Sequence, residues 1–349
     1  MTPSAESQPH REGKATFDTT GAFYRPKSKI ARDLAILAAH LLKQRHHQLR
    51  VLDLMTGCGV RPLRYYLEAG ADQVWANEAN PELGSLIQQN LSVLPRERVN
   101  LTHRDAREVC FTCYQRRDFY DLVDIDNFGA PATYTEAGLW AARKDGLLYL
   151  TSTDGRSTGG HSPERSLQGF SAYARSHPAV HEQGLRLIIG QAASIAASRG
   201  MGVEPVFSLF TGQVHRVMVR LVNKPTISRH TYGFLAYCHG CGRFQTVDWR
   251  HLGRVNCGGC GGEPTSTPVV SGPMWLGPLH DAGQVIAMKA LASQWGWTSQ
   301  ANLLTVMAGE ATLPPYYYPL GTLGRFGKMD IPSRDWLIHA LRERGIGPQ

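Results

Sequence analysis

The chemistry most visible in the sequence lies in Tyr120-Asp121-Leu122-Val123-Asp124-Ile125-Asp126, an apolar run that breaks at Asn127-Phe128-Gly129-Ala130-Pro131. It delivers a carboxylate and, two residues later, an aromatic ring into one loop. An exocyclic amine on a nucleobase is a poor nucleophile because its lone pair is delocalised into the ring. A carboxylate that accepts the amine hydrogens favours the geometry from which nitrogen attacks, and it stabilises the positive charge developing there. A ring beside it stacks on the base and holds it in line. Asp126 and Phe128 fit those two tasks. The plainer alternative is a strand-end Asp capping a turn, with Phe128 in the core.

A second group of residues has the pattern of a donor site. Val51-Leu52-Asp53-Leu54-Met55 runs into Thr56-Gly57-Cys58-Gly59-Val60-Arg61-Pro62, which opens a helix. Gly57 and Gly59 let the backbone approach a ligand closely, and the helix N-terminus offers unpaired N–H groups. Pro62 stands where a dinucleotide fingerprint needs its third glycine, which counts against a nicotinamide enzyme. Glu78 ends the next apolar run nineteen residues after Gly59, the spacing at which doubly wound folds hydrogen-bond a ribose diol. Asp105-Ala106 follows Val99-Asn100-Leu101, where an Asp can accept the amine of an adenine. Asp53, Glu78 and Asp105 are otherwise ordinary polar strand ends. Their order on successive strands points to adenosine with a tail that is not phosphate, as in S-adenosylmethionine.

These groups need a scaffold. Ile30, Leu34, Leu37 and Leu41 recur at helical spacing, after which short apolar runs at 49–55, 73–76, 121–125, 147–152 and 214–222 are mostly separated by helix-forming segments. Strand alternating with helix predicts an α/β fold with a parallel sheet covered on both faces. The runs 203–210 and 214–222, joined by Thr211-Gly212-Gln213, read as an antiparallel hairpin at a sheet edge. Residues 1–20 are polar and without hydrophobic period, which predicts a mobile leader. Beyond Asn223-Lys224-Pro225 the texture turns to Gly, Cys and aromatic residues and then to helical patterning at 279–291 and 335–344, so a domain boundary is expected near residue 226.

Six of the seven cysteines fall in C-x-x-C pairs. Cys238-x-x-Cys241 and Cys257-x-x-Cys260 are 15 residues apart, within the range of a four-cysteine zinc ribbon. Glycines at 240, 242, 258, 259, 261 and 262 permit tight knuckles. Four thiolates leave no position for water, so Zn2+ there would be structural. Four reduced core cysteines are the alternative. His239 and His251 read as solvent-facing. Cys110 and Cys113 lack a matching pair and read as packing residues, and Cys58 as a small residue near the donor.

The chain has 349 residues, 42% hydrophobic and 19% charged, which is globular composition for about two domains. Its formal net charge of +8 favours a polyanionic partner, nucleic acid first. Basic residues gather at Arg25-Lys27-Lys29-Arg32, Arg116-Arg117, Arg250 with Arg254, and Arg325 with Lys328, several beside Tyr24, Trp249 or Phe326. That mixture suits phosphates and exposed bases together. No run approaches the roughly 18 apolar residues of a membrane span, and the N-terminus lacks the apolar core of a secretory signal. A cytoplasmic protein is expected.

Phe23-Tyr24-Arg25-Pro26 with Arg32-Asp33-Leu34, then 53–61, 124–131, His181-Glu182-Gln183-Gly184-Leu185-Arg186 and Gly272-Pro273-Met274-Trp275-Leu276-Gly277-Pro278-Leu279-His280-Asp281 resemble the tRNA guanine-26 N2-dimethyltransferase family over about residues 21–345. The resemblance implies a class I (Rossmann-like) methyltransferase domain at 21–225, with S-adenosylmethionine as donor. It implies a smaller mixed α+β tRNA-binding domain at 226–349 holding the zinc ribbon at 238–260. The reaction implied is conversion of guanosine at the junction of the D and anticodon arms to N2-methyl- and N2,N2-dimethylguanosine. Asp126 would engage the guanine amine, Phe128 and Phe23 would contribute aromatic contacts, and Arg32 and Arg61 would meet the donor's methionine end. Two departures stand out: Asn127 replaces a usual Pro, and a Ser-Arg-Thr-His segment that follows the last helix in the family does not follow here. Neighbouring readings are an amine methyltransferase acting on another nucleic acid and a zinc-stabilised RNA-binding protein without turnover.

Overall fold

The computed structural model describes residues 9–260 and 267–345. Gly261 and Gly262 of the expected knuckles lie outside the described residues. The chain opens with a hairpin of β1 (His10–Glu12) and β2 (Ala15–Phe17), followed by α1 (Lys29–His46). It then alternates through β3 (Arg50–Asp53), α2 (Val60–Leu67), β4 (Gln73–Asn77), α3 (Gly84–Leu91), β5 (Val99–Thr102), α4 (Ala106–Arg116), β6 (Tyr120–Ile125), α5 (Ala132–Ala141) and β7 (Ala142–Ser152). Helices α6 (Gly155–Thr158), α7 (Pro163–Phe170) and α8 (Val180–Ser198) lead to the long hairpin of β8 (Gly202–Thr211) and β9 (Val214–Val222). The last third carries β10 (Tyr232–Tyr237), β11 (Phe244–Val247), β12 (Val269–Trp275), α9 (Ala282–Gln294), α10 (Thr298–Glu310), α11 (Leu320–Gly327) and α12 (Arg334–Glu343).

The main sheet has the order β5-β4-β3-β6-β7-β9-β8. Leu52 pairs in parallel with Trp75 on one side and Val123 on the other, so the strand order reverses at β3 and opens a crevice at the carboxyl ends of β3 and β6. Val123 in turn pairs with Leu148, and β9 closes antiparallel on β7. Thr211 faces Val214 across the expected edge hairpin. A separate antiparallel sheet, β11-β10-β12, carries the cysteine knuckles.

Both faces of the main sheet are buried, and each buried cluster recruits the last third of the chain. On one face Leu34, Leu37 and Leu63 pack with Val285, Met288 and Leu304; on the other Ile188 and Ala192 pack with Met274 and Trp275. The family-like motif at 181–186 accounts for the second contact. Arg186, 2% exposed, donates to the carbonyls of Trp275 (3.2 Å) and Gly277 (2.7 Å) and pairs with Glu182. A Cβ on Gly184 would come within 2.4 Å of the His215 ring, so only glycine lets α8 sit on β9 there.

The expectation of a mobile leader is corrected over the described part of 1–20. Ala15 and Phe17 alternate into the core, and Glu12 is 2% exposed between two arginines. Arg32 Nε and Nη2 donate to its two oxygens at 2.7 and 2.6 Å, and Arg64 Nη1 adds a third bond at 2.6 Å. Strands of three residues have too little period to read, and the charges that anchor them come from helices α1 and α2.

Candidate active site

A cavity of about 620 Å3 lies at the crevice beside β3 and β6. Phe23, Arg32, Gly57, Arg61, Glu78, Asp105, Ala106, Asp126 and Phe128 all line it. Gly57, with φ +57°, donates its N–H to Glu78 Oε2 at 2.9 Å, and Asn80 N–H binds the other oxygen at 3.1 Å. Two backbone donors therefore fix the Glu78 carboxylate against the glycine turn. Asp105 caps α4 by accepting from Arg107 N–H (2.8 Å), and its ion pair with the Arg107 side chain brings its carboxyl down to about 2.

Two expected donor residues lie elsewhere. Asp53 is fully buried beneath the turn, where Oδ2 accepts from Thr56 Oγ1 at 2.7 Å. Burial and the neighbouring Asp124 push its carboxyl well up, so it shapes the turn without reaching the cavity. Gly59, with φ +85°, starts α2, and a Cβ there would point at Ile87 and Leu91 of α3. Both sit in the expected segment, but neither is among the residues that line the cavity. The two arginines assigned to the donor's methionine end are already paired: Arg32 with Glu12, and Arg61 with Asp124 (2.8 Å) and Asp126.

The centre of the site is a buried charge cluster that the sequence shows only in part. Asp126 lies between Arg61 and Arg216; Arg216 Nη1 reaches Oδ1 at 3.1 Å and Thr151 Oγ1 at 2.9 Å. Beneath it Asp124 accepts from Arg61 and from Tyr65 OH (2.7 Å). Burial by itself would raise the Asp126 carboxyl, but Arg216 and then Arg61 outweigh it and hold the group well below the usual carboxylate range. Its side chain is 27% exposed to the cavity. The result is an ionised acceptor placed to take a hydrogen bond from an amine in the cavity.

Phe23 and Phe128 stand beside it with ring centroids 5.4 Å apart and planes at 70°. They are 68% and 74% exposed, unusual for phenylalanine and suited to a planar ligand. Asn127 replaces the rigidity of a proline with hydrogen bonds, its Nδ2 donating to the carbonyls of Phe128 (2.9 Å) and Ala130 (3.1 Å). Arg216 escaped the sequence reading. The one available signal was the adjacent polar pair His215-Arg216 near the start of a strand, 214–222, whose other residues apart from Arg220 are apolar.

The cysteine knuckles form a second centre. The sulfurs of Cys238, Cys241, Cys257 and Cys260 lie within 4.8 Å of one another, with Cys238–Cys260 at 3.7 Å and Cys241–Cys257 at 3.4 Å. Tetrahedral zinc with about 2.3 Å bonds needs sulfurs about 3.8 Å apart, so the set fits Zn2+ closely. His239 and His251 are exposed and outside this group, and Cys110 and Cys113 are buried in α4.

A family model described as N2,N2-dimethylguanosine tRNA methyltransferase matches residues 5–347. The tRNA (guanine(26)-N(2))-dimethyltransferase of Saccharolobus solfataricus is 30% identical over 341 residues, covering 95% of this chain and 86% of that one. The enzyme of the same name from Pyrococcus abyssi is 26% identical over 366 residues, covering 99% and 89%. The solved structure of Trm1 from Pyrococcus horikoshii with S-adenosyl-L-methionine superposes with a TM-score of 0.82 at 24% identity, covering 97% of this chain and 92% of that one, and shows the same fold. The chain belongs to the N2,N2-dimethylguanosine tRNA methyltransferase family.

Proposed function

We propose that this protein transfers methyl groups from S-adenosylmethionine to the exocyclic N2 of guanosine 26 in tRNA, giving N2-methyl- and N2,N2-dimethylguanosine. The observation that carries the reading is the Asp126 carboxylate, ionised by Arg61 and Arg216 and facing the same cavity as two exposed phenylalanines. Glu78 is oriented for a ribose diol, Asp105 and Ala106 border the place for adenine, and Gly57 lets the backbone close on the donor. Bound there, the donor supplies an electrophilic methyl on a sulfonium. Phe23 and Phe128 clasp the guanine, and Asp126 accepts the N2 hydrogens so that the nitrogen lone pair is aimed at the methyl. Methyl transfer leaves a positive charge on nitrogen that the Asp126 carboxylate stabilises until the displaced proton leaves for solvent. The target amine lies inside a helical junction, so the base must leave its stack to enter the cavity.

The chain divides near residue 226 into a methyltransferase part and a tRNA-binding part. Zinc on the four cysteines holds the second part rigid, and reduced thiols of this kind suit the cytoplasm, the compartment we assign. In the first basic cluster Lys29 is paired with Asp33 and Arg32 with Glu12, which leaves Arg25 and Lys27 for phosphate. Arg254 lines a groove of about 400 Å3 near Trp249, a second place for RNA. The test is nucleoside mass spectrometry of unmodified tRNA incubated with the protein and labelled donor. Label in N2-methyl- and N2,N2-dimethylguanosine at position 26 is expected; label at another base or atom would overturn the assignment.

A further inference from the structure

A second cavity, of about 560 Å3, adjoins the first and shares Arg25, Thr153 and Val214 with it as wall. Its lining differs in charge. The methyl-transfer cavity presents Glu78, Asp105 and Asp126, whereas none of the residues lining this one is acidic. Arg25 and Arg156 line it and form no ion pair among the described residues. His181 lies parallel on Phe210, with centroids 3.9 Å apart and planes at 15°, and His181 is exposed. His215, 2% exposed, packs 4.8 Å from Phe210 and lines the same cavity, its Nε2 lying against Gly184 of α8.

Unpaired guanidinium groups and a flat stacked platform are together the chemistry that receives a nucleotide: phosphate on arginine, base on ring. No carboxylate lines the cavity to bind a ribose diol as Glu78 can, which argues against a second donor molecule. Two cavities with a common wall suit two consecutive nucleotides of one strand.

We infer that this cavity binds the nucleotide next to the methylated guanosine, its base stacked on His181 and its phosphate held by Arg25 and Arg156. The inference rests on the reading of the Asp126 cavity as the target-guanine site. It gives the enzyme a means of choosing position by gripping two nucleotides of the opened strand rather than one.

The test combines His181→Ala with tRNA carrying an abasic residue beside guanosine 26, on each side in turn. The readouts are tRNA affinity without donor, and KM and kcat with it. On one side the abasic residue weakens wild-type binding by about tenfold, as loss of one base stack does. The same residue leaves His181→Ala no weaker than it already is, because the two changes remove one contact. His181→Phe restores the affinity, while kcat at saturating tRNA and the donor affinity stay unchanged. Additive losses, wild-type binding by His181→Ala, or a fall confined to kcat would each overturn the proposal. Since affinity is read without turnover, a protein that shows this pattern yet methylates no tRNA upholds the neighbour site and refutes the activity assignment instead.

Discussion

The two centres of this protein are assembled in opposite ways. The four cysteines lie within 23 residues of chain, on knuckles of one small sheet, and their spacing alone announces a metal. The Asp126 site draws Arg61 from α2, Thr151 from β7 and Arg216 from β9, partners as far as 90 residues from the carboxylate they hold. A metal site needs donors of one kind at short range, so sequence can encode it locally. A buried anion needs its countercharges from every direction at once, and only the sheet brings them together.

The contrast can be broken or sharpened experimentally. The largest effect is expected at the cysteines. A structural zinc site contributes on the order of 10 kcal/mol of local folding free energy, so Cys257→Ser or chelation removes amide protection from β10 and β11 and weakens tRNA binding, with donor affinity retained. Hydrogen exchange and calorimetry check this, and loss of donor affinity in parallel would show that the centres are not independent. Next is Asp126→Ala, which lowers methyl transfer by about 10²- to 10³-fold, the usual cost of one preorganised group at a charge-developing atom. In single-turnover assays the rate should fall while donor and tRNA affinities hold.

Glu12→Gln probes the ion-pair cluster behind the cavity and should cost about 3–5 kcal/mol in denaturant unfolding, because Arg32 and Arg64 lose a buried partner. Burial favours neutral Glu12, but Arg32 and then Arg64 prevail and lower it from 4.5 to about 2. Its contribution is therefore complete above pH 4.5 and declines as pH falls toward 2, a decline the variant lacks. An unchanged acid limb in Glu12→Gln would contradict the assignment.

What was legible in the sequence follows the same division. The strands of the sheet, the edge hairpin, the glycine turn and the cysteine spacing are local patterns, and each appears where its pattern put it. Asp53 stands at the expected strand end but outside the cavity lining, because strand-end position is visible in sequence while side-chain direction is not; its carboxylate bonds Thr56 beneath the turn. Arg216 was missed because its partner follows a strand, β6, that reaches β9 only through β7. The N-terminal hairpin was missed because its stability comes from α1 and α2, not from its own short strands.

The central claim is that the exocyclic amine of guanosine 26 is the atom presented to Asp126, and it is tested most directly by replacing that guanosine with inosine, which differs only in lacking N2. With saturating labelled S-adenosylmethionine, methyl incorporation should disappear from the inosine tRNA while tRNA binding is largely retained. Incorporation into the inosine tRNA at the rate of the guanosine tRNA would contradict the account.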